Sequence, residues 1–186
     1  MNFKSTKFKG LFIIEPTLIN DKRGYFHIVY DEKTIAKYFK NIKFIQENES
    51  YSKRGVVRGF HFQRPPFTQA KLVRCIKGCI IDIAIDIRKG SLTYGEIHRI
   101  ELSCENKRQL FVPRGFAHGF IVTSKTATVV YKVDNLYSKE HETGIYWNDK
   151  QLNVDWGVNI NHVIVSEKDE KLPPFSDLDS PFNFKE

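Results

Sequence analysis

Ile81-Asp82-Ile83-Ala84-Ile85-Asp86-Ile87-Arg88 sets an isoleucine at every second position and a small or charged residue between. Side chains of a strand alternate between its faces, so this period of two marks a β-strand with two dissimilar faces. A second alternation, Ala127, Val129, Tyr131 and Val133, sends a tyrosine hydroxyl to the same side as valines, the composition of an enclosed face with one polar tip. Around these lie short β-rich runs at 8–15, 43–46, 72–76, 110–112 and 119–122, divided by Gly, Pro, Asn or Ser. Many short strands predict an all-β barrel or sandwich. Helical spacing is confined to 31–39, where Ile35, Tyr38 and Phe39 share a face, and to a turn after Ser166. The three prolines after Leu172 predict an irregular surface strap to Glu186.

The 186 residues suit one domain spanning 1–186, large enough to bury a core without disulfides or a metal. The opening ten residues lack the apolar stretch of a signal peptide, and no run of about eighteen apolar residues follows, so a cytoplasmic protein with no membrane association is expected. Cys75, Cys79 and Cys104 form an odd set without C-x-x-C spacing, which reads as reduced and structural, with Lys77-Gly78 turning the chain between the first two. The formal charge of +7 attracts anions. Its lysines and arginines interleave with acids from Lys4 to Lys185 rather than forming a basic stripe, which argues against nucleic acid and for a phosphorylated small molecule.

Three segments carry polar groups that a bare core does not need. The first runs from Arg54 through Arg58-Gly-Phe-His-Phe-Gln63 to Gln69-Ala-Lys71. Arg58 stands an odd number of residues from His61, so a bend at Gly59 is needed to turn both to one side. The second is Pro113-Arg-Gly-Phe-Ala-His-Gly-Phe120, where glycines bracket His118 and allow a close backbone approach to a ligand. The third is Ser166-Glu-Lys-Asp169, which is also a capping-box-like helix start. A metal reading is disfavoured, because the stretch after Gly59 offers one histidine, followed by Phe62 and Gln63, where a metal-binding barrel presents a second.

Taken with Asp21-Lys-Arg-Gly-Tyr-Phe26, Gln46-Glu-Asn48, Tyr131 and Tyr137, these segments run in an order that resembles the dTDP-4-dehydrorhamnose 3,5-epimerase family, metal-free jelly-roll members of the cupin superfamily. The resemblance covers nearly the whole chain. It implies an all-β, cupin-type double-stranded β-helix with one or two short helices, no cofactor, and a homodimer in which an N-terminal strand such as 8–15 adds to the partner's sheet. It also implies chemistry on a nucleotide-diphosphate-linked 4-keto sugar of surface-polysaccharide biosynthesis. The ketone acidifies the hydrogens on C3 and C5, so a base removes one and the enolate is reprotonated from the opposite face.

By that resemblance His61 is the base and Asp169 the carboxylate that orients it, Lys71 stabilises the enolate oxygen, and Tyr131 supplies the proton from the other side. Arg23 and Arg58 grip the diphosphate, Phe26 and Tyr137 flank the base, and Gln46, Asn48, His118 and Lys168 complete the lining, with Glu142 near the pocket in an unassigned role. The chain departs from the family at Ile28, where an acidic residue is usual, and at Glu49, where histidine is expected. A guanosine diphosphate sugar, such as a keto-heptose, therefore stands beside the thymidine one. An enzyme acting at C3 only, a ketoisomerase, and a non-catalytic sugar-nucleotide binder are the alternatives.

Overall fold

The computed structural model describes residues 1–184, so the last two residues of the expected terminal strap lie outside it. The described chain runs β1 (Asn2–Ser5), β2 (Phe12–Glu15), β3 (Ile19–Asp21), β4 (Gly24–Phe26), α1 (Glu32–Tyr38), β5 (Gln46–Lys53), β6 (Val57–Gln63), β7 (Lys71–Lys77), β8 (Cys79–Asp86), β9 (Ile97–Ser103), β10 (Gln109–Val112), β11 (Phe116–Val122), β12 (Thr126–Val133), β13 (Glu142–Gly144) and α2 (Glu167–Glu170). Six strands form one antiparallel sheet in the order β1-β2-β10-β7-β12-β5 and five form another in the order β13-β6-β11-β8-β9, while β3 and β4 make a separate hairpin. The two larger sheets close over each other as a jelly roll, the all-β fold expected.

Both faces of β8 are buried, which explains why its alternation is between apolar types and small or paired ones rather than between dry and wet. Ile80 and Ala84 face the inter-sheet core with Val73, Leu110, Phe120, Ala127 and Val129. Ile81, Ile83, Ile85 and Ile87 face the other way, under a cover supplied by Ile145, Trp147, Leu152, Trp156 and Phe175. At the edge of that strand Asp86 is neutralised by Arg88 at 2.7 Å and by the hydroxyls of Ser91 and Thr93, so its burial leaves no bare charge. On the outer face of the six-stranded sheet Ile35 of α1 and its C-cap residue Phe39 pack against Leu72 and Phe111, with the Phe39 and Phe111 rings stacked at 3.6 Å. Asp31 caps this helix by accepting from the backbone N–H groups of Lys33 and Thr34.

Two boundaries differ from the sequence expectation. The run 8–15 is a strand only over Phe12–Glu15, because Phe8 to Leu11 turns on a Leu11 N–H to Phe8 carbonyl bond, and β1 rather than β2 occupies the sheet edge. The run 43–46 only leads into β5, whose alternating exposed and half-buried residues begin at Gln46. The turn at Lys77-Gly78 carries the chain from one sheet to the other, placing Cys75 and Cys79 on different strands. The cysteines are free, and burial pushes the Cys75 thiol up to about 12, which leaves it unreactive.

Candidate active site

A cavity of about 530 Å³ opens between the sheets, and it is lined by Arg58, His61, Lys71, His118, Tyr131, Glu142, Lys168 and Asp169 among others. A second lobe of about 350 Å³ shares His61, Lys71, Tyr131 and Glu142 and extends to Gln46, Asn48, Gln69 and Tyr137. Eleven of the thirteen residues singled out by sequence thus border one continuous space.

Gly59 is what turns two of them into it. Its φ of +129° belongs to glycine, and a Cβ there would lie 2.5 Å from the Cα of Gly119. The register of β6 against β11 slips between His118 and Phe120, so one extra residue is absorbed and Arg58 and His61 both face the cavity while Phe60 packs outward. The glycine beside His118 has the same reason: it lets β6 approach β11, and it is a strand contact rather than the close approach to a ligand that its sequence context suggested.

Asp169 arrives from the C-terminal segment. Val56 and Ile164 form a parallel bridge that lays 163–169 along β6, and Ser166 caps α2 by accepting from the Asp169 N–H at 3.2 Å, so the cap and the site use the same turn. Asp169 Oδ1 meets His61 Nε2 at 2.6 Å and Oδ2 accepts from the Gly59 N–H at 3.3 Å. Burial alone would raise the Asp169 pKa, but the hydrogen bond and charge of His61 and the Gly59 N–H outweigh it and hold the carboxyl below its usual range. A carboxylate only accepts, so His61 carries its proton on Nε2 and presents Nδ1 as the basic nitrogen.

Across the cavity stand a cation and a phenol. Burial lowers the Lys71 ammonium to about 8, against the weaker pull of Asp82 and Glu142. Burial likewise raises the Tyr131 hydroxyl, opposed by Arg58, so the phenol keeps its proton at neutral pH. At the rim Glu142 accepts from Tyr137 at 2.7 Å and pairs with Lys168, and these bonds overcome its burial to keep it ionised. Arg58 leans over the mouth on Ser52 Oγ at 3.1 Å, and Gln46 donates to Asn48 at 2.7 Å in the second lobe. His118 Nε2 is 2.8 Å from the fully buried Asp82.

Arg23 and Phe26 are not brought in. Arg23 is 83% exposed and paired with Asp21, and Phe26 is 64% exposed, because both ride on the β3–β4 hairpin, which joins neither large sheet. Glu49 is exposed on the face of β5 opposite Asn48, so that departure from the family leaves the cavity lining unchanged. Asp82 stands behind the cavity wall, and an acid within an isoleucine-rich strand is the sequence signal that something buried must satisfy it.

Comparison with known proteins identifies the family. The family model for dTDP-4-dehydrorhamnose 3,5-epimerase matches residues 5–177. The dTDP-4-dehydrorhamnose 3,5-epimerase of Shigella flexneri is 44% identical over 180 residues, 96% of this chain and 98% of that one. Among solved structures, the epimerase of the same description from Elizabethkingia anophelis superposes with a TM-score of 0.91 at 46% identity, covering 95% of this chain and 97% of its own. The dTDP-6-deoxy-D-glucose-3,5-epimerase of Legionella pneumophila, solved in complex with dTDP-4-keto-L-rhamnose, superposes at 0.93 with 38% identity, covering 100% and 99%. A match of this extent in sequence and in backbone makes the chain a member of the dTDP-4-dehydrorhamnose 3,5-epimerase family of isomerases.

Proposed function

We propose that the chain inverts C3 and C5 of a thymidine-diphosphate-linked 4-keto-6-deoxy sugar by proton removal and return. The observation that carries this is the His61–Asp169 pair on the wall of a cavity shared with Lys71 and Tyr131. His61 Nδ1 takes the proton from the carbon beside the ketone, while Asp169 keeps the imidazole oriented and stabilises it once charged. Negative charge moves onto the ketone oxygen, where the Lys71 ammonium meets it. The Tyr131 phenol returns a proton to the carbon from the opposite face. A base or acid alone contributes about 10² to 10⁴ in rate, so the full acceleration an enzyme needs requires all three groups. The thymidine nucleotide is favoured by the Legionella relative's bound ligand, and Arg58 and Lys168 at the mouth are the cations suited to its diphosphate. With dTDP-4-keto-6-deoxyglucose in deuterated water, deuterium is expected at both C3 and C5. Label at one carbon selects a single-site epimerase or ketoisomerase, and no label with bound nucleotide leaves only a sugar-nucleotide binder.

The same reading includes a homodimer. Ile19, Tyr25, Phe26 and Ile28 are each more than half exposed on and beside one hairpin, an apolar surface that needs a cover. A partner placed there would also bring Arg23 and Phe26 to a nucleotide held by the other copy. Sedimentation at micromolar concentration is expected to give a dimer, and Phe26→Ala to weaken thymidine diphosphate binding. A monomer that binds the nucleotide as well with alanine at 26 refutes it.

A further inference from the structure

Among the described residues, two buried polar atoms without partners stand on the neighbouring strands β8 and β9, close to one alanine. β8 pairs with β9 so that Ala84 lies opposite His98, and with β11 so that Ala84 also lies opposite His118. The two histidines thus flank Ala84 in one row across the sheet. Asp82 stands one pleat along the same strand, opposite Ile100 on one side and Phe120 on the other, and so diagonal to both histidines. Diagonal cross-strand neighbours lie about 7–8 Å apart, within reach of a carboxylate and an imidazole, and the alanine methyl between them leaves the space open. His118 uses one half of this arrangement, with Nε2 at 2.8 Å from Asp82 Oδ1. On the other half Asp82 Oδ2 and His98 Nε2 are each buried without a partner among the described residues. The Phe8 ring meets the His98 ring edge to face at 5.8 Å and fixes its plane.

A buried carboxylate oxygen left bare costs free energy, and a polar gap between an acceptor and a ring N–H is the kind of space that holds one ordered water. We propose that His98 is a positioning residue for the cavity: its Nε2–H reaches Asp82 Oδ2 through a single water, and the carboxylate, held by both histidines, fixes His118 with Nε2 protonated and Nδ1 as a bare acceptor facing the sugar. His118 lines the cavity, and among the described residues its Nδ1 has no hydrogen-bond partner. A bare nitrogen there accepts from a sugar hydroxyl, and the opposite tautomer would instead repel such a donor unless the hydroxyl turned. His98 is half-buried and lies outside the cavity lining, so its influence on the cavity is indirect.

The consequence for sugar binding rests on the function proposed above, and the tautomer does not. In ¹⁵N-histidine NMR of the whole protein, His118 and His98 are both expected protonated at Nε2, with His118 Nδ1 unprotonated. His98→Phe keeps the ring contact with Phe8 but removes the donor, and is expected to give a tautomer mixture at His118 and a kcat/KM lower by about five- to thirtyfold, carried mainly by KM. His98→Gln, which restores a donor, is expected to recover both. Asp82→Asn offers a donor to His118 Nε2 and is expected to reverse the tautomer. If His98→Phe does not fold, the parent spectrum and His98→Gln decide. A proton on His118 Nδ1 in the parent, a bare His98 Nε2, or an unchanged His118 spectrum in His98→Phe overturns the proposal. A parent with the expected tautomers that exchanges no sugar hydrogen leaves the water relay standing and overturns only the epimerase reading.

Discussion

His61→Ala is expected to lower kcat by about 10² to 10⁴, the usual contribution of a positioned general base, and to abolish deuterium entry at both sugar carbons. Nucleotide affinity should change by less than about threefold, because in the function proposed here the diphosphate falls to Arg58 and Lys168, which line the cavity with His61, rather than to the imidazole. Loss of exchange with retained binding separates a catalytic histidine from a structural one. Stability responds too. Asp169 is only 3% exposed, and without His61 its Oδ1 keeps no strong partner, which costs about 1–3 kcal/mol. The sign follows from the carboxyl's lowered folded pKa: the pair stabilises the parent above the unfolded carboxylate pKa, and that stability is lost as pH falls through the folded value. The stability gap between parent and variant should therefore close in acid. A variant that still exchanges hydrogen at the parent rate would remove His61 from the chemistry.

Legibility in the sequence followed how local each determinant is. The strand at 81–88 and the face of Tyr131 were readable because a period of two needs only the chain itself. The bend at Gly59 was readable as a requirement, since parity alone forbids Arg58 and His61 from sharing a face of a regular strand. Its cause, the slip against β11 and the close pass of Gly119, belongs to a second strand more than fifty residues away and leaves no local mark. Asp169 shows the same division: Ser166 announces the helix start, while the bridge from Ile164 to Val56 that carries the helix to His61 is long-range. The assignment of thirteen site residues rested on resemblance, and eleven border the cavity. The two that do not, Arg23 and Phe26, sit on a hairpin outside both large sheets, where motif order along the chain says nothing about where the fold carries them. The place of Asp82 is not legible locally, because its strand reads as core on both faces and only the pairing with β11 sets a histidine beside it.

Lys71→Met separates stability from activity in opposite directions. The parent ammonium is lowered from 10.5 to about 8 by burial, so below pH 8 the folded protein carries a charge that the unfolded chain carries more easily. Because the folded pKa is below the unfolded one, this group destabilises the parent fully below pH 8, and the penalty fades as pH rises from 8 to 10.5. A depression of that size corresponds to at most about 3 kcal/mol, and contact with cavity water brings the expected value to about 1–3 kcal/mol. Methionine has similar length and no charge, so at pH 7 the variant should melt about 2–12 °C higher than the parent, with the gain disappearing toward pH 10.5. Activity should fall about 10² to 10³-fold, the cost of removing a preorganised group from a developing oxyanion. The parent's kcat/KM should itself decline above about pH 8 as the ammonium discharges, a limb absent from the residual activity of the variant. A protein that becomes more stable as it becomes inactive cannot have lost function by misfolding, which leaves the missing charge as the cause. A variant that melts lower than the parent would show that burial does not strain the ammonium, and one that keeps its rate would show that the ammonium is not placed at the ketone oxygen.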